Sequence, residues 1–234
     1  MFVSKLVPVL ALALSASSLP QAFRPGNSGR DVTTTGCDTS AILMDLPAGQ
    51  TQLVQPSTAP KFVALGVGVQ NYTCNAATSK FTSVGAVASI FDIACLASDA
   101  SSFAGLQTTA FAAWEAAPAG LNPIDLSSLS GSFGSPEQIG SHYFIPAASG
   151  TGLSPKWDFT TTLGGDAFVV AAKAGNIPAP NTAEDVDWLA LNGVSGTLAT
   201  QVFRIDTVSG QPPTSCAAGD ADISVKYTSK YFLY

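Results

Sequence analysis

Residues 61–74 read KFVALGVGVQNYTC, and their alternation decides the fold class. Phe62, Ala64, Gly66, Gly68 and Gln70 fall on one side of an extended chain, and Val63, Leu65, Val67, Val69 and Asn71 on the other. Side chains of a strand point alternately to its two faces, so a period of two marks β structure. One face carries Val and Leu. The other carries two glycines, which inside a strand signal a bend, a bulge or the close approach of another backbone. Gly66-Val67-Gly68 fails as a dinucleotide fingerprint: Asn71 stands where the third glycine belongs, and the strand pattern continues where a helix should open.

Outward from this stretch, residues 75–79 (NAATS) form a turn, and 81–96 are the next extended segment. That reading puts Cys74 and Cys95 on neighbouring strands. Residues 97–140 are the least regular; 111–117 (FAAWEAA) suit two helical turns because Ala favours helix, and 127–136 (SSLSGSFGSP) read as loop. Strands resume at 142–145, 156–162, 167–172, 188–191, 196–206 and 222–234, separated by Gly, Pro and Ser turns. Almost no helical periodicity is present. The expectation is a mostly β, single-domain β-sandwich or β-barrel over residues 37–234, with long loops and little helix.

Composition bounds the function classes. The 234 residues suffice for one large β domain with a sizeable core. Charged residues are 11%, against roughly 25% in an average globular protein, while 46% are hydrophobic, the opposite of a disordered chain. The net charge of −6, with no basic run, leaves nothing to neutralise phosphates and argues against nucleic acid or an anionic membrane surface.

Residues 1–22 read as an export signal. Lys5 supplies the positive start, residues 6–14 (LVPVLALAL) the apolar run, and 15–22 (SASSLPQA) the small-residue zone, with cleavage between 16 and 22. The apolar run is about half a membrane span, and no later segment approaches one. Residues 23–36, rich in Pro, Gly, Ser and Thr, are expected to be a flexible mature N-terminus. The ending Tyr231-Phe232-Leu233-Tyr234 reads as a strand end rather than a lipid-anchor signal. The expected localisation is extracellular. In that oxidising setting Cys37, Cys74, Cys95 and Cys216 make two disulfides, in any of three pairings. No CxxC pair suggests zinc.

Candidate chemistry is thin. No GxSxG or HExxH motif occurs, and His142 is the only histidine. Any serine–histidine or histidine–carboxylate hydrolase has to use it; more often a lone histidine of this kind is a structural hydrogen-bonding residue. Asp158, Asp166, Glu184, Asp185, Asp187 and Asp206 are carboxylates whose spacing singles out no facing pair. Trp114-Glu115 and Trp157-Asp158 set an aromatic beside a carboxylate, as carbohydrate sites do and as plain surfaces also do. Asn71-Tyr72-Thr73 is a glycosylation sequon lying inside the strand pattern.

Several blocks, in order, carry a resemblance. Residues 64–74 (ALGVGVQNYTC), Gly140-Ser141-His142-Tyr143-Phe144, Pro155-Lys156-Trp157, Val186-Asp187-Trp188-Leu189, residues 201–207 (QVFRIDT), 210–216 and 227–234 (YTSKYFLY) resemble a secreted family known in filamentous fungi and bacteria, from about residue 40 to the C-terminus. Its function is not established. Many members are called malate dehydrogenase, a chemistry whose nicotinamide-binding βαβ unit and diacid-clamping arginines cannot be read here. The resemblance implies Cys74–Cys216 with Cys37–Cys95. It also implies that Gln70, His142, Tyr143, Trp157, Arg204 and Tyr227, which match the polar and aromatic blocks, are the ligand-binding candidates or else a buried network joining sheets. The chain departs from many relatives at Phe144-Ile145-Pro146, where they have glycine. The functional expectation is an extracellular or cell-wall-associated protein binding a small molecule or glycan. A hydrolase using His142 and a carboxylate stands as the alternative, and malate dehydrogenase as a disfavoured third. No cofactor or metal is expected.

Overall fold

A computed structural model describes Met1 and residues 36–234. The expected export signal and the start of the mature chain lie outside these residues, Met1 and Gly36 apart. Eight strands form one closed antiparallel barrel in chain order: β1 (Phe62–Asn75), β2 (Lys80–Asp92), β3 (Gln138–Pro146), β4 (Leu153–Asp158), β5 (Phe168–Ile177), β6 (Trp188–Gly196), β7 (Gln201–Ser209) and β8 (Ile223–Leu233). The first and last strands close the ring along Phe62↔Leu233 to Tyr72↔Ile223. Closure leaves no free edge. The alternatives of sandwich and barrel are thereby resolved.

The faces of β1 sort as its alternation implies. Phe62 and Ala64 join a buried cluster with Ile90, Ile139, Trp157, Val169, Leu191, Val202 and Tyr231. Every strand contributes to this cluster, so it fills the barrel interior. Val63, Leu65 and Val67 point outward into a second cluster, covered by residues 42–53 and by α2 (Leu106–Ala116). That helix buries Leu106, Ala110 and Trp114, one stripe at a spacing of four. The Trp114 indole donates to the Gly68 carbonyl at 2.7 Å, and Lys226 donates to the Trp114 carbonyl at 2.7 Å near the helix's negative end. The inward glycines are needed for close approach: a Cβ on Gly66 would overlap the Tyr231 ring, and one on Gly68 would overlap the Val87 carbonyl.

Several sequence-based segments end differently: residue 196 ends β6 and the strand expected over 196–206 starts only at Gln201, the helical turns expected over 111–117 begin at Leu106, and two further differences share one cause. The extended segment expected to reach residue 96 stops at Asp92, whose carboxylate accepts from Ala94 N at 2.9 Å and starts a 3-10 turn, Ala94–Ser98. The strand expected over 156–162 stops at Asp158, whose carboxylate accepts from Thr160 N at 3.1 Å and starts α3 (Thr160–Leu163). A short acidic side chain bonding the backbone two residues on competes with the ladder. The loop expected at 127–136 holds a 3-10 turn, Ser127–Phe133, that buries Phe133.

The disulfides are Cys37–Cys95 and Cys74–Cys216. Cys74 and Cys95 are not neighbours, because β1 and β2 are antiparallel: Cys74 lies opposite Phe81, while Cys95 follows the far end of β2. Two disulfides suit an oxidising, extracellular compartment. No helix among the described residues is long and apolar enough to cross a membrane.

Candidate functional site

The barrel interior is apolar at one end and polar at the other. Towards the end that holds the β1–β2 and β7–β8 connections, the inward positions become Gln70, His142, Arg204, Tyr227 and Ser229, with Tyr231 and Trp157 beneath them. Strand parity brings them together. Tyr227, Ser229 and Tyr231 alternate on one face of β8, Arg204 lies opposite Tyr231, and His142 lies opposite Trp157.

His142 is 2% exposed and stacks on Trp157 at 4.3 Å between ring centres. Its Nδ1 is 2.9 Å from the Lys156 carbonyl. A carbonyl only accepts, so Nδ1 carries the proton and Nε2 is left as an acceptor. Burial, reinforced by the Arg204 charge and opposed by the Lys156 hydrogen bond, pulls the imidazole down to about 3. Burial pushes the Tyr72 phenol up to about 12 and raises Tyr227 and Tyr231 as well, with Arg204 pulling each of the three back. Near neutral pH the cluster holds one charge, the guanidinium.

Arg204 is partly exposed. Its Nε and Nη2 donate to the Asp187 carbonyl at 3.2 and 2.8 Å. The ion pairs among the described residues are Lys156–Asp158 and Lys230–Asp206, and neither involves it. Gln70 Nε2 and Trp157 Nε1 are buried without an acceptor. The Tyr227 and Tyr231 hydroxyls are 3.0 Å apart and share one hydrogen bond, with Gln70 beside Tyr227 and with Ser229 and Arg204 beside Tyr231. Unsatisfied buried donors cost about 1–3 kcal/mol each.

A strap closes this end. Tyr72 donates to the Gly210 carbonyl at 2.6 Å, and Val186 N donates to the Ser209 carbonyl at 3.1 Å. Ser209 N donates to the Asp185 carboxylate at 2.6 Å. Gly210 packs on Tyr227 and Gln70, where a side chain would be crowded. Cys74–Cys216 ties the same connection to the end of β1.

Of the six candidates, five meet in the barrel: Gln70, His142, Trp157, Arg204 and Tyr227. Tyr143 does not. One residue past His142, it points outward and donates to Asp158 at 2.7 Å, beside Lys156. Asp158 is likewise turned away from its neighbour Trp157. Glu115 is exposed at the end of α2. Asn71 lies outward on β1 and accepts from Ser224 at 2.8 Å. Sequence reasoning missed Tyr72 and Tyr231; the spacing of four between Tyr227 and Tyr231 on a strand was the available signal. His142 has no carboxylate on it: its Nδ1 is held by the Lys156 carbonyl, and burial makes the ring a weak base.

An outer groove of about 630 Å³ lies between residues 37–45, the Ala94–Ser98 turn and α1 (Ala100–Ala104). Its buried cation, Lys230, is 3% exposed and is already neutralised by Asp206 at 2.9 Å. No group of three or more potential metal ligands is found among the described residues. All strand pairings are antiparallel, so Gly66 and Gly68 lie within a strand and not at a β–α turn.

A family described as "Protein of unknown function (DUF3455)" matches residues 55–234. No curated protein and no solved structure matches the chain.

Proposed function

This chain belongs to the DUF3455 family of proteins of unknown function, and from that premise we propose that it is an exported protein that holds a small organic molecule in the polar end of its barrel without transforming it. Export rests on the signal-like residues 1–22 and accords with the two disulfides. The carrying observation for binding is a pair of buried donors without an acceptor, Gln70 Nε2 and Trp157 Nε1, in the cluster of an arginine that has no carboxylate partner among the described residues. Eight-stranded barrels are wide enough to be filled by side chains or to hold one small ligand. Unmet polar groups favour the second use.

The test is Trp157 emission. A ligand entering beside the stacked His142–Trp157 pair is expected to change it saturably in a screen of small organic molecules. No saturable change with any compound in Trp114→Phe/Trp188→Phe protein, which keeps Trp157 as its only indole, refutes the proposal.

Glycan binding is a second reading, favoured by the outer patch where Lys156 lies over Phe168 at 4.4 Å and pairs with Asp158 beside Tyr143. Retention on polysaccharide columns that survives Tyr143→Ala counts against that patch. The hydrolase alternative has less support, given a neutral His142 bound to a carbonyl. Malate dehydrogenation is disfavoured by an antiparallel topology, and calorimetry with nicotinamide cofactor tests it directly.

A further inference from the structure

The polar end of the barrel has a chemical bias. Its cation is Arg204, two of whose nitrogens share a single backbone carbonyl. A carbonyl carries only partial negative charge, so the partly exposed guanidinium has no charged partner among the described residues. The titratable groups facing it cannot supply the missing charge. His142 is neutral, and Tyr72, Tyr227 and Tyr231 keep their protons. The nearest aspartate by sequence, Asp206, is paired with Lys230 at 2.9 Å; Asp187 accepts from Asn176 at 2.9 Å, and Asp185 accepts from Ser209 N. Gln70 Nε2 is a further buried donor, and the acceptor left beside it, His142 Nε2, carries no charge.

The rim is apolar. Leu189, half-buried, stands directly opposite Arg204 across β6 and β7. Phe144, half-buried as well, packs with Ala86, Ala88 and Tyr227. One positive charge, several donors and an apolar rim describe the complement of one anionic head on a hydrocarbon tail.

From this juxtaposition we infer that the barrel binds a small monocarboxylic acid, its carboxylate on Arg204 with Gln70 Nε2 and a Tyr227–Tyr231 hydroxyl as further donors, and its tail against Leu189 and Phe144. The inference rests on the barrel-binding reading above and names the ligand class of that site. Carboxylates take paired donors from guanidinium well, and such charge-assisted bonds are about twice as strong as neutral ones. Entry requires the Tyr72–Gly210 strap to part. The cost is a few hydrogen bonds, while Cys74–Cys216 keeps the strap tethered.

The experiment is calorimetry and Trp157 emission on the full secreted chain, with acetate, butyrate and hexanoate against acetamide, butyramide and hexanamide, and with nitrate as the inorganic anion. Expected are saturable carboxylate binding that tightens with tail length, and amides weaker by at least about tenfold. Arg204→Met is expected to lose roughly a hundredfold in affinity, with part of it restored by Arg204→Lys. Gln70→Glu, which adds a carboxylate of the chain's own to the cluster, is expected to abolish binding while the far-ultraviolet spectrum is unchanged.

Amides binding as tightly as carboxylates overturn the charge assignment and leave the barrel reading standing. Nitrate binding as tightly as hexanoate overturns the organic acid. If neither series binds but another neutral compound in the screen does, the ligand class falls alone. If nothing binds, and a crystal structure shows only a water at Gln70 Nε2, both fall.

Discussion

His142 makes the stability of this protein depend on pH in a window whose upper part, above about pH 5, holds the ordinary ionisation of no other side chain. It is the only histidine in the chain, and burial takes it from the ordinary 6.5 down to about 3. Between those values the unfolded chain binds a proton there and the native barrel does not, so stability rises with pH and is lost as pH falls below 6.5. Each pH step of one costs about 1.4 kcal/mol inside the window. From pH 7 to pH 5 the loss is about 2 kcal/mol, growing to roughly 4–5 kcal/mol near pH 3. The assay is urea unfolding at half-unit pH intervals, wild type against His142→Phe, which keeps the stack on Trp157. Carboxylates change both proteins alike. Asp158, which burial would raise but Lys156, Tyr143 and Thr160 hold low, adds loss only below about pH 4; Asp185, raised by burial, acts with the opposite sign. The difference between the two curves therefore isolates the imidazole. A flat difference from pH 7 to pH 5, or a native imidazole proton resonance titrating near 6.5, refutes a sealed, neutral histidine.

Other outcomes follow from packing and covalent structure. Gly68→Ala drives a Cβ into the backbone of Val87 and Ala88, which cannot yield, and is expected to destabilise by about 3 kcal/mol or more in urea unfolding. Gly66→Ala meets the edge of the Tyr231 ring instead and is expected to cost about 1–3 kcal/mol; equal effects contradict the assignment of these contacts. Removing Cys74–Cys216, with a sequence separation of 142, is expected to cost about 5 kcal/mol on chain entropy, against about 4 kcal/mol for Cys37–Cys95 with its separation of 58. Thermal melting of the two double-serine variants gives the order. Asp206→Ala strands the buried Lys230 amine and is expected to lose about 3–5 kcal/mol, with Asp206→Ala/Lys230→Met recovering most of it.

Most of the strands, the second half of the helix over Leu106–Ala116 and the two faces of β1 were legible in the sequence because each depends on local rules. Alternation, turn residues and alanine content act within about ten residues. The same locality explains the misplaced ends: Asp92 and Asp158 look like strand residues until their carboxylates cap the following backbone. Legibility stopped where partners are distant in the chain. Alternation alone put His142 and Tyr143 on opposite faces but could not say which face was inside, so Tyr143 stood among the candidates although it faces outward. Family resemblance implied the cysteine pairing that antiparallel geometry then placed at opposite ends of the barrel.

By itself the sequence determined an exported-looking, cysteine-paired chain of short strands without a recognisable catalytic motif. Only the tertiary structure decided that β1 closes on β8. Closure turns the period of two into an inside and an outside, and it seals His142 against Trp157. It also gathers Gln70, Arg204, Tyr227 and Tyr231, from three strands up to 161 residues apart, into one polar end. Charge compensation and hydrogen-bond satisfaction are properties of an enclosure, and no stretch of sequence contains one.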